Sequence, residues 1–241
     1  MSRSTFRVYG SRSEQGGFVP LDQQDPRRGC LLYDIQNKKY GMDFLINSLE
    51  LPDTQVVFHD LPAGVRLEFM QLMGLDRPDR ALREFTIAAR HLGVEPVFVA
   101  LLTPARSTQD TAMWLIDTLG DLATIIAVRN HQYGEEQFAQ WDGATGPEAG
   151  RGRKTRFLSR GGRETVMPFL DPDTYVRCEM TAKRWSELTD SKEIAAADRA
   201  RIAVWRRLFE EEIRKVEDSL GFIGGSSAPA LDDDAAAMRA M

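Results

Sequence analysis

Along this chain the spacing of apolar positions switches repeatedly, and each switch marks a change of element. Residues 54–59 (TQVVFH), 96–102 (PVFVALL) and 122–128 (LATIIAV) are short runs rich in β-branched and aromatic residues. Such runs are too brief for helices and read as buried strands. Between them apolar residues recur every three or four positions, the period of a helix packed on one side. Residues 65–73 and 80–92 are two such helices, the second carrying Leu82, Phe85, Ile87, Ala88 and Leu92, with Gly93 as its C′ stop. Ser107 or Thr108 caps a third, which runs through Leu119 and ends at Gly120.

Upstream, Met42, Leu45, Ile46 and Leu49 give a short helix over residues 40–49. Residues 6–9 and 30–35 (CLLYDI) are further strand candidates, separated by a loop containing Gly16, Gly17, Pro20 and Pro26. Downstream, residues 165–170 form one more candidate strand. A long amphipathic helix spans 198–220, with Ile202, Trp205, Phe209, Ile213 and Val216 on one stripe.

Strands alternating with helices predict an α/β fold: a mostly parallel sheet with helices on both faces, plus a C-terminal helical extension. The pattern divides into an α/β core over residues 1–141 and a basic linker, strand and helical extension of the same domain over 142–220. A disordered tail follows over 221–241, where GGSSAP and Asp232 to Asp234 lie.

Composition narrows the function classes. A chain of 241 residues with 42% hydrophobic content can bury one substantial core. No apolar stretch approaches the ~20 residues of a membrane span, and MSRSTFRVYG lacks the apolar centre of a signal peptide. These features, with only Cys30 and Cys178 and no CxxC, predict a cytoplasmic protein with reduced thiols. The net charge of −5 gives no global attraction to nucleic acid, so any DNA contact needs a local patch. Arg151, Arg153, Lys154, Arg156, Arg160 and Arg163 form the one basic run. It is either a solvated linker or a site for DNA phosphates. His59, His91 and His131 show no metal-ligand spacing, and their positions read as incidental.

In an open parallel sheet, ligands sit outside the carboxyl ends of the strands. Asp60, Thr103-Pro104 and Asn130 follow the three strong strands. A carboxylate can hold Mg²⁺ directly or through water, and an amide can read a base edge with its donor and acceptor. Gly64 permits close backbone approach to a phosphate. The competing reading is that Asp and Asn stand there as turn formers.

The run VVFHDLPAG resembles the segment after the third strand of ParA/MinD-type P-loop ATPases. The resemblance continues through LGVEPVFVALLTPARSTQDTAMWLIDTLGD to IIAVRNHQYGEE, about residues 54–141. It is nearest to the divergent members on plasmids and other mobile elements. It implies ATP and Mg²⁺ as cofactors, with Asp60 as the catalytic Mg²⁺/water carboxylate, Gly64 as the γ-phosphate turn and Asn130 as the base reader. It also implies a dimerising switch in DNA partition or mobilisation, with non-specific DNA or a replicon-encoded protein as partner. Arg151, Arg153, Lys154 and Arg156 are the corresponding DNA contacts.

The family's phosphate loop is missing. GSRSEQGG has no lysine, and in GRGRKT Arg153 replaces the required glycine, so hydrolysis is expected to be weak or absent. Either the first βα unit, roughly 30 residues, lies upstream of Met1, or the chain is a degenerate relative. Residues 6–9 or residues 30–35 are the family's second strand; the second alignment makes Asp34 a further cofactor contact. A non-enzymatic DNA- or protein-binding scaffold is the alternative function.

Overall fold

The computed structural model describes residues 41–51, 54, 56–61, 65–143, 152–181 and 183–217. The strand candidates at 6–9 and 30–35, together with Asp34, Gly64, Arg151 and the tail, lie outside the described residues.

Helix α1 (Gly41–Asn47) continues into a 3₁₀ turn, Ser48–Glu50. Helices α2 (Arg66–Met73) and α3 (Pro78–His91) follow. Each stops at a backbone reversal that glycine permits, Gly74 at φ +63° and Gly93 at φ +79°. Strand β1 (Val97–Leu102), helix α4 (Arg106–Leu119) and strand β2 (Thr124–Asn130) form a βαβ unit. Short helices α5 (Ala139–Asp142) and α6 (Arg153–Ser159) lead to β3 (Arg163–Met167). The chain then enters α7 (Pro172–Thr181), α8 (Trp185–Leu188) and α9 (Ala196–Arg214).

Among the described residues the sheet is β1-β2-β3, all parallel. Its register runs from Val97↔Thr124 to Leu102↔Arg129, and from Ile126↔Arg163 to Asn130↔Met167. One face presents Ala100, Leu102, Ile125 and Ala127 to the main core, which includes Leu82, Phe85, Ile116, Phe138, Trp141 and Phe157. On the other face Ile126 and Val128 pack with Val216 just beyond α9. The hydroxyl of Thr165 on β3 donates to the Glu212 carbonyl at 2.8 Å, tying α9 to the strand. Helices therefore lie on both faces, as the alternating pattern predicts.

Four expectations need correction. The described residues among 54–59 form no strand; Val56 and Phe58 are 52% and 76% exposed in coil. A strand needs a neighbour for its N–H and C=O groups, and β1 pairs only with β2 among the described residues. Nor is β1 buried on both faces, because α9 reaches β2 and β3 while Val99 and Leu101 stay about half exposed. Neither Ser107 nor Thr108 caps α4. The Thr108 hydroxyl instead accepts the Thr103 N–H at 3.0 Å and donates to the Ala105 carbonyl at 2.9 Å, closing the β1–α4 turn. The basic run from Arg153 is a helix, not a loop, because its side chains have carboxylates to meet.

The C-terminal helices enclose a second small core of Cys178, Leu188, Ile194 and Ile202. Cys178 is a free thiol whose pKa burial pushes up. Beside it Asp198, almost fully buried, accepts from Arg177 Nε at 2.7 Å, Thr174 Oγ1 at 2.8 Å and Arg201 Nη1 at 2.8 Å. The Arg177 and Thr174 hydrogen bonds hold its carboxyl far below the usual range. A carboxylate depressed in the folded state stabilises above its unfolded pKa, and that contribution disappears as pH falls toward the folded value. Asp171, held low by the Thr174 amide and hydroxyl, adds to the same limb. Urea midpoints should therefore drop below about pH 4, and Asp198→Asn should flatten that drop while lowering stability at neutral pH. An unchanged acid limb in the variant would remove Asp198 from the account.

Candidate functional site

The carboxyl edge of the sheet is built by three strand ends and the helices that leave them. β1 delivers Thr103, β2 delivers Arg129 and Asn130, and β3 ends at Met167 opposite Asn130; Glu164, the second residue of β3, lies further back along the strand. In register, Glu164 lies opposite Ala127, and Ala127 shares its face with Arg129, two residues on. Both charged side chains therefore enter the main core layer.

There they form a closed network. Arg129, its side chain 8% exposed, lies 3.0 Å from Asp142 and 3.9 Å from Glu164, with its guanidinium 4.9 Å above the Phe138 ring. Glu164 accepts from Trp141 Nε1 and from Lys154 Nζ, each at 2.5 Å. Lys154 also lies 3.9 Å from Asp142. Immediately before Lys154, Arg153 is 2.8 Å from Asp110 on α4. Three cations thus face three carboxylates. The charges balance, and each buried ion has a partner.

Two buried polar groups at this edge have no partner among the described residues. Gln109 is fully buried in α4, on the face shared with Ala112, Met113 and Ile116, and neither amide atom is hydrogen-bonded. The second is Nε2 of His131, directly after β2. An unsatisfied buried amide costs about 1–3 kcal/mol, so each such group needs an explanation, whether an ordered water, stored strain or a ligand.

Asn130 ends β2 as predicted, and its Oδ1 accepts the Gln132 N–H at 2.9 Å. That turn fixes the amide plane and leaves the amino group to point elsewhere. Asp60 is not at a strand tip. It is exposed in coil beside His59, whose Nε2 lies 3.0 Å from Ser48 Oγ and whose pKa burial lowers. Arg153 and Lys154 join the buried network, while Arg156 meets Asp117 at 2.7 Å and Arg160 contacts the same carboxylate. Asp34, Gly64 and Arg151 lie outside the described residues.

No family model, no curated protein and no solved structure matches this chain. The site therefore rests on its own geometry. Its polar groups suit the base end of a nucleotide: an oriented amide at Asn130, and a second amide and an imidazole nitrogen lacking partners. For the triphosphate end, the described residues offer no glycine-rich turn carrying a lysine, and they gather no group of three His, Cys, Asp or Glu residues for a metal.

Sequence reasoning missed Arg129, Asp142, Glu164 and Gln109. One signal was available: Arg129 closes an otherwise apolar strand, where a cation is tolerated only with a buried counter-charge.

Proposed function

We propose that this chain is a ParA/MinD-like nucleotide-binding protein that acts as a ligand-dependent switch in partition or mobilisation of DNA, without appreciable ATP hydrolysis. The observation that carries the reading is that Gln109, in the first turn of α4, and His131, directly after β2, each hold a buried polar group with no hydrogen-bond partner among the described residues, while the Asn130 amide is fixed by its turn. It is supported by the parallel sheet and by the place of these groups at its carboxyl edge. Asn130 and Gln109 read the base, and Asp60 serves Mg²⁺.

Isothermal titration with Mg-ATP tests this. Binding near micromolar Kd, about −8 kcal/mol, is expected, with phosphate release at background. Asp60→Ala and Asn130→Ala should each abolish or sharply weaken it. Absence of heat at millimolar ligand would overturn the reading.

Gln109→Met supplies an independent test. Replacing an unsatisfied amide with an apolar group of similar volume should raise stability by about 1 kcal/mol, while weakening nucleotide binding. A destabilised variant would mean that the amide is already satisfied.

The alternative is a non-enzymatic scaffold for DNA. Its support is local: Arg156 and Arg160, with side chains 55% and 47% exposed, share the single carboxylate of Asp117 and leave one positive charge uncompensated. DNA retention that needs no nucleotide, falls steeply with salt and is lost in Arg156→Glu would favour it.

A further inference from the structure

Among the described residues two exposed apolar rows stand unpaired. Val56 and Phe58 are 52% and 76% exposed in a coil segment, and Val99 and Leu101 alternate along β1 at 52% and 50%. Among the described residues β1 is also an edge strand, bonded only to β2. A parallel edge with a bare apolar face is unusual, because parallel sheets are covered on both sides.

The handedness of the chain says where a preceding strand must go. From β1 to β2 the chain crosses through α4, and from β2 to β3 through α5 and α6; Ile116, Trp141 and Phe157 place all three helices on the main core face. The sheet advances one strand in the same direction each time. Right-handed crossovers on one face always step the same way. The described residues between Leu61 and β1 also lie on that face, since Leu61, Val65, Phe69 and Leu82 all pack into the same core, as a further crossover would. A strand feeding that crossover belongs on the free edge of β1, parallel to it.

We propose that residues 56–59 form a docking strand that adds to β1, seating Val56 and Phe58 beside Val99 and Leu101, and that the structure shows its undocked state. Docking in parallel carries Asp60 to the carboxyl edge, near Thr103 and Asn130. The step is therefore a conformational switch that completes the polar edge. Its role in ligand control rests on the nucleotide-binding reading; the docking itself does not.

Oxidative trapping tests it in the full chain. Phe58→Cys combined with Leu101→Cys should form an intramolecular disulfide, mapped by peptide mass spectrometry. Its yield should be at least about tenfold above that of Phe58→Cys combined with Val204→Cys, because docking would hold the first pair adjacent, at a higher effective concentration than the second pair of the same chain. Val204 is similarly exposed, at 50%, but lies on α9. Equal yields in the two pairs, or only intermolecular disulfides, would overturn the docking strand. Trapping accelerated by Mg-ATP would support both proposals. Trapping indifferent to Mg-ATP would leave docking standing and count against the nucleotide as its trigger.

Discussion

Replacing Glu164 with alanine should lower the unfolding free energy by about 3–5 kcal/mol, the penalty for stranding buried charge. The reason lies in what remains. Arg129, only 8% exposed on its side chain, keeps Asp142 but loses the second carboxylate. Lys154 Nζ and Trp141 Nε1 lose the acceptor that each reaches at 2.5 Å. Coulomb attraction to one carboxylate cannot compensate buried Arg129 and two-thirds-buried Lys154 together, and a buried indole N–H without an acceptor adds its own penalty. Urea unfolding followed by tryptophan fluorescence measures the loss, and Trp141 itself reports the change around Glu164. Glu164→Gln keeps an acceptor for the indole and should fall between wild type and alanine. A loss below about 1 kcal/mol in the alanine variant, the size expected of a surface pair, would mean that the network is open to water. A second comparison separates stability from function. Substituting Arg129→Met, Lys154→Leu and Glu164→Leu together removes every stranded charge but one, so much of the stability should return. Ligand binding that fails to return with it would give the charges a role beyond packing.

That network was the least legible part of the chain, for a physical reason. Periodicity reports which positions face a core, and it served well where apolar side chains fill that core. Thus β1, β2, α2, α3 and α4 follow their sequence patterns to within a few residues. Glu164 and Lys154 carry the signature of solvent-facing positions. Only the pairing of β3 with β2 and the packing of α6 against α5 turn them inward. Asn130 was readable because a strand end is a local feature. Residues 54–59 show the reverse failure: their β-branched and aromatic composition fits a strand, yet propensity cannot supply the neighbouring backbone that a strand requires. Helix α7 had a local signal that went unread. Asp171 accepts the Thr174 N–H at 2.8 Å and Pro172 opens the first turn, an N-cap followed by an N1 proline.

Gly152→Ala is the second change expected to act strongly, at about 3 kcal/mol, the upper end of the overpacking range. Backbone strain is not the cause, since φ −49° and ψ 150° suit any residue. The obstacle is contact. A Cβ there would lie 2.6 Å from the Asp142 carbonyl oxygen, 2.7 Å from its carbon and 2.8 Å from the Gly143 nitrogen. All three are backbone atoms, so no rotamer change relieves the overlap, and the entrance to α6 must move away from the end of α5. Gly162 offers the contrast: its Cβ would meet the Phe157 ring at 2.4 Å. A ring can tilt, though this one is fully buried 5.4 Å from Trp141, and a smaller loss is expected. Displacing α6 at Gly152 should also draw Lys154 from Glu164 and Arg153 from Asp110, so the damage reaches the charge network. A double-mutant cycle with Glu164→Ala decides between local and transmitted effects. If Gly152→Ala acts by pulling the network apart, the two losses overlap and the double variant is more stable than their sum predicts. Strict additivity would confine the effect to the α5–α6 backbone contact and leave the network uncoupled from that helix entrance.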